Sequence, residues 1–163
     1  MIADESWLEA QSTEALIALA LPLPDDEFDE NGNWLRATSR WNIISVLHRR
    51  GTLEVFEAAK LLCAGLDPNE RRMAADILGQ LGYDHKYPFK DETLPILVQL
   101  IETDQSVEVL HSACTAFGHL HDTRAIPALL TLKNYPNDNV RFSVVFGLLA
   151  LEDDRAINAL IEL

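Results

Sequence analysis

Residues 67–79 read Asp67-Pro-Asn-Glu-Arg-Arg-Met-Ala-Ala-Asp-Ile-Leu-Gly79, and two later segments, 106–118 and 137–149, repeat this pattern. Each segment opens with a side chain that can cap a helix and continues with small or apolar residues at helical spacing. The segments start 39 and then 31 residues apart. Repeats of this length are typical of stacked helical units. The sequence therefore predicts a chain of repeated helices.

A second helical segment follows each first segment after a short polar turn. These second segments are residues 94–101, 125–132 and 156–161. Pro95 and Pro127 lie in their first turns, where a missing N–H removes no hydrogen bond. Each unit is therefore predicted to be a helical hairpin.

An earlier, less regular hairpin precedes these units. Its helices are predicted at 33–49 and 52–62, with Gly51 between them at a position that favours positive φ. The segment from Glu5 to Leu21 adds one more helix. The total is about nine helices and no strand, which predicts an all-α fold, an α-solenoid of stacked antiparallel helix pairs.

The acidic residues divide the chain into two predicted regions. Residues 1–32 hold nine Asp and Glu and no Lys or Arg, and are expected to form the N-terminal helix and an acidic loop. Residues 33–163 are expected to form about four hairpin repeats. The last hairpin ends among apolar residues, so we expect it to be truncated or to associate with another chain, such as a second copy.

Composition excludes several classes of function. The 163 residues carry 26 Asp and Glu against 13 Lys and Arg, a net charge of −13, which repels nucleic acid. The apolar run from Ala15 to Leu21 is too short to span a membrane. No basic residue precedes Arg36, so a secretory signal is not expected and a cytoplasmic location is predicted. The charge favours a cationic protein partner.

No residue pattern in the chain indicates catalysis, a metal or a cofactor. His119 and His121 are two residues apart, so on one helix they point away from each other and cannot share a metal ion. Arg71 and Arg141, with the pairs Asp122/Arg124 and Asp154/Arg155, are expected to form ion pairs along the solenoid edge. We therefore predict that the protein is not an enzyme.

The first repeat with Arg71, together with residues 122–130 (Asp-Thr-Arg-Ala-Ile-Pro-Ala-Leu-Leu), resembles the short HEAT repeats of phycobilisome lyases. Arg71-Arg72 with residues 77–81 and the insertion that follows resembles bacterial HEAT proteins linked to recombination-hotspot (Rhs) toxin elements. Those proteins are presumed immunity proteins. The resemblance implies a non-catalytic scaffold that binds and inhibits a partner protein, such as a toxin. The alternative is an accessory subunit of a bilin lyase or another enzyme complex.

In HEAT arrays the second helices line the binding surface, so the resemblance implies where a partner binds. The positions on the second helices that we expect to face outward are Glu57, Lys60, Ile96, Gln99, Ala128, Thr131, Ala159 and Glu162. Trp34 is a candidate exposed anchor, His85 lies in the insertion, and Trp41 is expected in the core. The candidate partner-binding residues are Glu57, Lys60, Ile96, Gln99, Thr131, Glu162, Trp34 and His85.

Overall fold

The computed structural model describes residues 5–23 and 40–161, which form ten α-helices and no strand. Two 3₁₀ turns, Tyr83–His85 and Thr123–Ala125, join the paired helices of the second and third repeats. The all-α solenoid predicted from the repeats is confirmed. The helices are α1 (Glu5–Glu9), α2 (Thr13–Ala20), α3 (Arg40–Arg50), α4 (Leu53–Cys63), α5 (Pro68–Gln80), α6 (Lys90–Thr103), α7 (Val107–Leu120), α8 (Ile126–Thr131), α9 (Asp138–Leu149) and α10 (Asp154–Ile161).

The first helices of the repeats begin at the caps that the sequence predicts. The side chains of Asp67, Ser106 and Asn137 each accept a backbone N–H from the first turn of α5, α7 and α9. These bonds satisfy donors that a helix start leaves unpaired. The repeated polar residue at each start is therefore structural.

The single N-terminal helix predicted from Glu5 to Leu21 is wrong, because the chain breaks into α1 and α2. Ser12 causes the break: its hydroxyl accepts the N–H of Ala15 and so caps a new helix. The arginines that end α3 hold both helices in place. Arg49 pairs with Glu5 at 2.7 Å, and Arg50 donates to the carbonyl of Gln11 at 2.6 Å.

The first helices α5, α7 and α9 pack against one another at close range. A Cβ placed on Gly79 would lie 2.7 Å from Ala116, and one on Gly147 would lie 2.9 Å from the carbonyl oxygen of Cys114. Only glycine allows these backbones to approach so closely. The small residues seen in the repeats therefore set the spacing of this layer.

The buried apolar side chains form two clusters, and α5 contributes to both. Met73 and Ile77 belong to a cluster with α2, α3 and α4, while Ala75 belongs to a cluster that extends to α10. The largest buried side chains of the second cluster include Phe117 and Leu129. The two clusters together make one continuous stack of helices.

Each repeat ends its first helix with a residue in the left-handed region. Gly51 and Gly82 have φ of +54° and +66°, and His121 and Glu152 have φ of +48° and +49°. Glycine adopts this conformation without strain, whereas other residues lose about 1 kcal/mol or more. The last two repeats thus keep the turn but not the residue best suited to it.

The expected edge ion pairs form, with one correction. Arg71 pairs with Asp104 at 2.6 Å, and Arg124 pairs with Asp122 at 2.6 Å. Arg155 pairs with Asp153 and not with Asp154, because the side chain of Asp153 also accepts the N–H of Arg155 at the start of α10. No helix in the described part of the chain is long and apolar enough to cross a membrane.

Candidate functional site

A groove of about 830 Å³ lies between the second helices α4 and α6. Three residues predicted to bind a partner, Lys60, Ile96 and Gln99, line this groove together. Two leucines on its wall are far more exposed than leucine usually is, with 75% of Leu61 and 97% of Leu66 accessible to solvent. We call this surface the α4–α6 groove; Cys63, Arg71, Leu100, Thr103, Asp104 and Ser106 also line it.

The charges around the α4–α6 groove compensate one another. Nζ of Lys60 lies 3.6 Å from Oε2 of Glu57, a residue of α4 next to the groove. At the base, burial alone raises the pKa of Asp104, but the hydrogen bonds from Arg71 and from the N–H of Ser106 bring it below its ordinary value. Asp104 and Arg71 therefore form a charged pair at neutral pH, and with Lys60 beside Glu57 the groove has little net charge.

Cys63 is the nucleophilic side chain on the wall of the groove. Burial raises the pKa of its thiol to about 12, so the thiol remains protonated at neutral pH. A protonated thiol is a poor nucleophile and a poor metal ligand. The thiol of Cys63 is therefore not activated for nucleophilic attack.

Two other described candidates, Thr131 and His85, lie away from this groove. Thr131 is exposed on α8 and donates its hydroxyl to the carbonyl of Ala128. His85 is exposed on the 3₁₀ turn, 3.6 Å from Asp84. Trp34 and Glu162 lie outside the described residues.

Ala128 and Ala159 were expected to face outward, and the structure buries both. Each small side chain belongs to the second apolar cluster. An alanine fits equally well at an inward position of a close-packed helix, and its side chain does not report which way the helix is turned. The outward assignment of these two positions is therefore wrong.

A second concave site, which the sequence analysis missed, crosses the first helices. This cleft has a volume of about 450 Å³ and is lined by residues from α3, α5, α7 and α9. Trp41 lines it and is half-buried, rather than fully in the core as expected. Arg72, His111 and Phe142 also line it, and they are separated by 39 and 31 residues, the spacing of the repeats. This shared repeat position was the signal that could have revealed the cleft.

The cleft contains a serine–histidine contact that is structural. The Ser143 hydroxyl donates to the carbonyl of Asn139 at 2.7 Å and lies 2.5 Å from Nδ1 of His111. Only 1% of Ser143 is exposed, so its oxygen cannot reach a substrate. The hydroxyl ties α9 to α7 instead.

The remaining histidines make separate contacts. Nδ1 of His121 lies 2.8 Å from the carbonyl oxygen of Ala150, while the ring of His119 packs edge-on against Phe146. His48 is buried and bonds the carbonyl of Asp76 at 2.9 Å, and burial lowers its pKa to about 4. Within residues 5–23 and 40–161, no three possible metal ligands lie close enough to share an ion.

Comparison with known proteins supports the repeat architecture. Residues 94–163 match the family model of HEAT repeats. The chain is also similar to a chain in the complex of CpcE and CpcF of phycocyanin lyase from Nostoc sp. PCC7120, with a TM-score of 0.56 and 20% sequence identity. The alignment covers 97% of this chain and 62% of that chain. At this identity the similarity shows a shared fold, and no curated protein matches the chain.

Proposed function

We propose that this protein is a non-catalytic scaffold that binds a partner protein in the α4–α6 groove. The observation that carries the proposal is the exposure of Leu61 and Leu66 on the wall of a groove whose charges are already compensated. Exposed apolar side chains in a concave surface are typical of interaction sites. Covering the two leucines would contribute about 1.5–3 kcal/mol each.

The groove has the chemistry for a segment with apolar anchors and backbone hydrogen bonds. Leu61, Leu66 and Ile96 offer apolar contact, and the side-chain amide of Gln99 offers a donor and an acceptor along the same groove. The hydroxyl of Thr103 donates to the carbonyl of Gln99 and offers an acceptor. Fixed polar groups of this kind orient a segment, while the apolar contacts supply most of the affinity.

We further propose that the partner is cationic. The chain carries a net charge of −13, and a field of this sign accelerates the approach of a positive partner. Binding should therefore slow as salt rises from low to physiological concentration. Glu57→Lys, beside the groove, should slow it more than Glu14→Lys on the exposed side of α2, because the field is strongest near the charge that is reversed.

Two more specific functions fit a binding scaffold. The first is an accessory subunit of an enzyme complex, which the fold shared with a phycocyanin lyase chain over 97% of this chain supports. The second is an inhibitor that neutralises a toxin, which the strongly acidic surface supports. A bilin that co-purifies with the complex and absorbs visible light would favour the first function. Protection of cells from the product of a neighbouring toxin gene would favour the second.

The test compares leucines inside and outside the groove. Leu61→Asp and Leu66→Asp place a charge in the groove, whereas Leu53→Asp places one at an exposed leucine near the start of α4, outside it. Each variant is used to isolate bound proteins from cells of the native source, and these are quantified by mass spectrometry. We expect the two groove variants to lose a protein that the wild type and Leu53→Asp retain. Equal recovery by all four proteins would refute the proposed site.

A further inference from the structure

The cleft across the first helices combines aromatic walls with hydrogen-bond acceptors, and we call it the first-helix cleft. It lies across α5 and α7, which pack against each other inside the array, and α3 and α9 complete its lining. Trp41 of α3 and Phe142 of α9 supply its aromatic rings. Its volume of about 450 Å³ is in the range of pockets that enclose a small ligand.

The contacts of His111 determine which of its ring nitrogens is an acceptor. The single proton of the Ser143 hydroxyl goes to the carbonyl of Asn139, because a carbonyl oxygen can only accept. Nδ1 of His111, 2.5 Å from the same hydroxyl, must then carry the ring proton and donate it. In the neutral ring Nε2 therefore has a lone pair, and it bonds none of the described residues. His111 thus offers the first-helix cleft an acceptor.

Two carboxylates line the same cleft. Glu108 lies one turn before His111 on α7, so the two side chains share one face of that helix, and Asp76 comes from α5. Glu108 accepts a serine hydroxyl at 2.8 Å, and Asp76 lies 3.7 Å from Arg40. A carboxylate can accept about four hydrogen bonds, so one that is already bonded can still accept from a ligand. Arg72 adds one positive charge to the lining, which leaves an excess of one negative charge.

Acceptors between aromatic rings favour a planar cation as the ligand. A guanidinium group carries five N–H donors in a fixed fork and no acceptor, and its flat face stacks on aromatic rings. An ammonium group is a compact point charge without such a face, and an anion would meet two carboxylates and the lone pair of Nε2. The net charge of −13 also attracts a cation to the protein.

We propose that the first-helix cleft binds an arginine side chain of a partner protein. The guanidinium stacks on the ring of Trp41 or Phe142 and donates to Glu108 and to Nε2 of His111. A side chain within a protein segment brings no carboxylate of its own, whereas free arginine would add one to a cleft that already has two. This site is formed by first helices and the α4–α6 groove lies between second helices, so either can exist without the other.

Blocked tripeptides of the form acetyl-Gly-Xaa-Gly-amide test the proposal directly. Xaa is arginine, lysine or citrulline, which keeps the shape of arginine and lacks its charge. Binding to the full chain is measured by NMR titration, followed by the indole N–H signal of Trp41 and the amide signals of α7. We expect the arginine peptide to shift these signals and to bind about tenfold more tightly than the other two, the gain expected for a charged, forked donor.

Matched variants separate this site from general attraction to an acidic protein. Glu108→Gln should weaken binding of the arginine peptide about tenfold. Glu102→Gln makes the same change in net charge at an exposed acid of α6, outside the cleft, and should leave binding unchanged. His111→Phe keeps a ring without Nε2 and should weaken binding severalfold. The amide spectrum of each variant shows whether it is folded.

Several outcomes would overturn the proposal. They are equal binding of the arginine peptide and either of the other two, no effect of Glu108→Gln, and shifts confined to residues outside the cleft. Tighter binding of free arginine than of the blocked arginine peptide would also overturn it, since the ligand would then be the amino acid and not a protein segment.

Discussion

Arg71 in α5 and Asp104, just after α6, join two successive repeats through a contact of 2.6 Å from Nε to Oδ2. The same arginine donates to the carbonyls of Gly65 and Leu66, which fixes the turn before its own helix. One side chain therefore holds both a turn and the next repeat.

We expect Arg71→Ala to lower the free energy of unfolding by about 3 kcal/mol, because it leaves the nearly buried carboxylate of Asp104 without its cation. Arg141 is the matched control. It donates to the carbonyls of Tyr135 and Pro136 in the same way, but its acid, Asp138, is exposed. Arg141→Ala should therefore cost only about 1 kcal/mol. Urea unfolding measures both, and equal losses would show that the pair with Asp104 adds nothing.

The second prediction concerns His48, whose pKa burial lowers from 6.5 to about 4. Between these values the unfolded chain binds a proton at this site and the folded chain does not. Stability should therefore fall as pH drops from about 6.5 to about 4, by up to about 3 kcal/mol from this residue, with no further loss from it below that range.

His48→Gln tests this assignment, because its amide can still donate to the carbonyl of Asp76 but does not titrate there. The variant should lose most of the slope in urea stability between pH 6.5 and 4. A smaller slope should remain from His119, whose pKa is also lowered by burial. An unchanged slope would assign the pH dependence to other groups.

The left-handed turns allow a stabilising change. Glu152→Gly should raise the free energy of unfolding by about 0.5–1 kcal/mol, because glycine takes the φ of +49° without strain. His121→Gly should gain less, since it loses the contact between Nδ1 and the carbonyl of Ala150. The reverse change, Gly82→Ala, should destabilise, because its Cβ would also lie 2.5 Å from Cδ of Pro88. Thermal melting of the three variants checks this order.

The close approach of α5 and α7 yields a rescue experiment. Gly79→Ala should cost about 1–3 kcal/mol, because the added methyl meets Ala116 at 2.7 Å. Ala116→Gly in the same chain should recover part of that loss by making room for the methyl. The interaction energy from the double-mutant cycle is the measurement. Independent, additive losses would mean that the two helices are not in contact at these positions.

Much of the fold was predictable because its signals are local. Caps such as Asp67 and Ser106, the glycine after α3 and Pro127 in the first turn of α8 act on residues a few positions away, so the sequence alone displays them. The same prediction for Pro95 is wrong, because α6 begins at Lys90 and encloses this proline. The break at Ser12 was not predicted because the helical spacing of apolar residues continues across it. A helix newly capped by Ser12 and a continued helix differ little in free energy, so the sequence does not decide between them.

The candidate site was harder to predict, because exposure depends on neighbours that are distant in sequence. Lys60, Ile96 and Gln99 line one groove only because α4 and α6 lie side by side. The periodicity of either helix alone does not predict the distance between the two helices. The cleft with Trp41 and Phe142 spans four helices, so comparing repeats with one another would have found it, whereas examining each repeat alone did not.

The position of α5 in both apolar clusters bears on how the ends of the molecule influence each other. Repeat arrays can open one unit at a time, but here neither cluster can lose α5 without exposing part of the other. Opening of α5 would therefore expose apolar side chains in both clusters and speed the exchange of backbone amide hydrogens in α3 and α7 together. The exchange rates at the two ends are thus linked through the stability of α5, without any displacement of helices in the folded state.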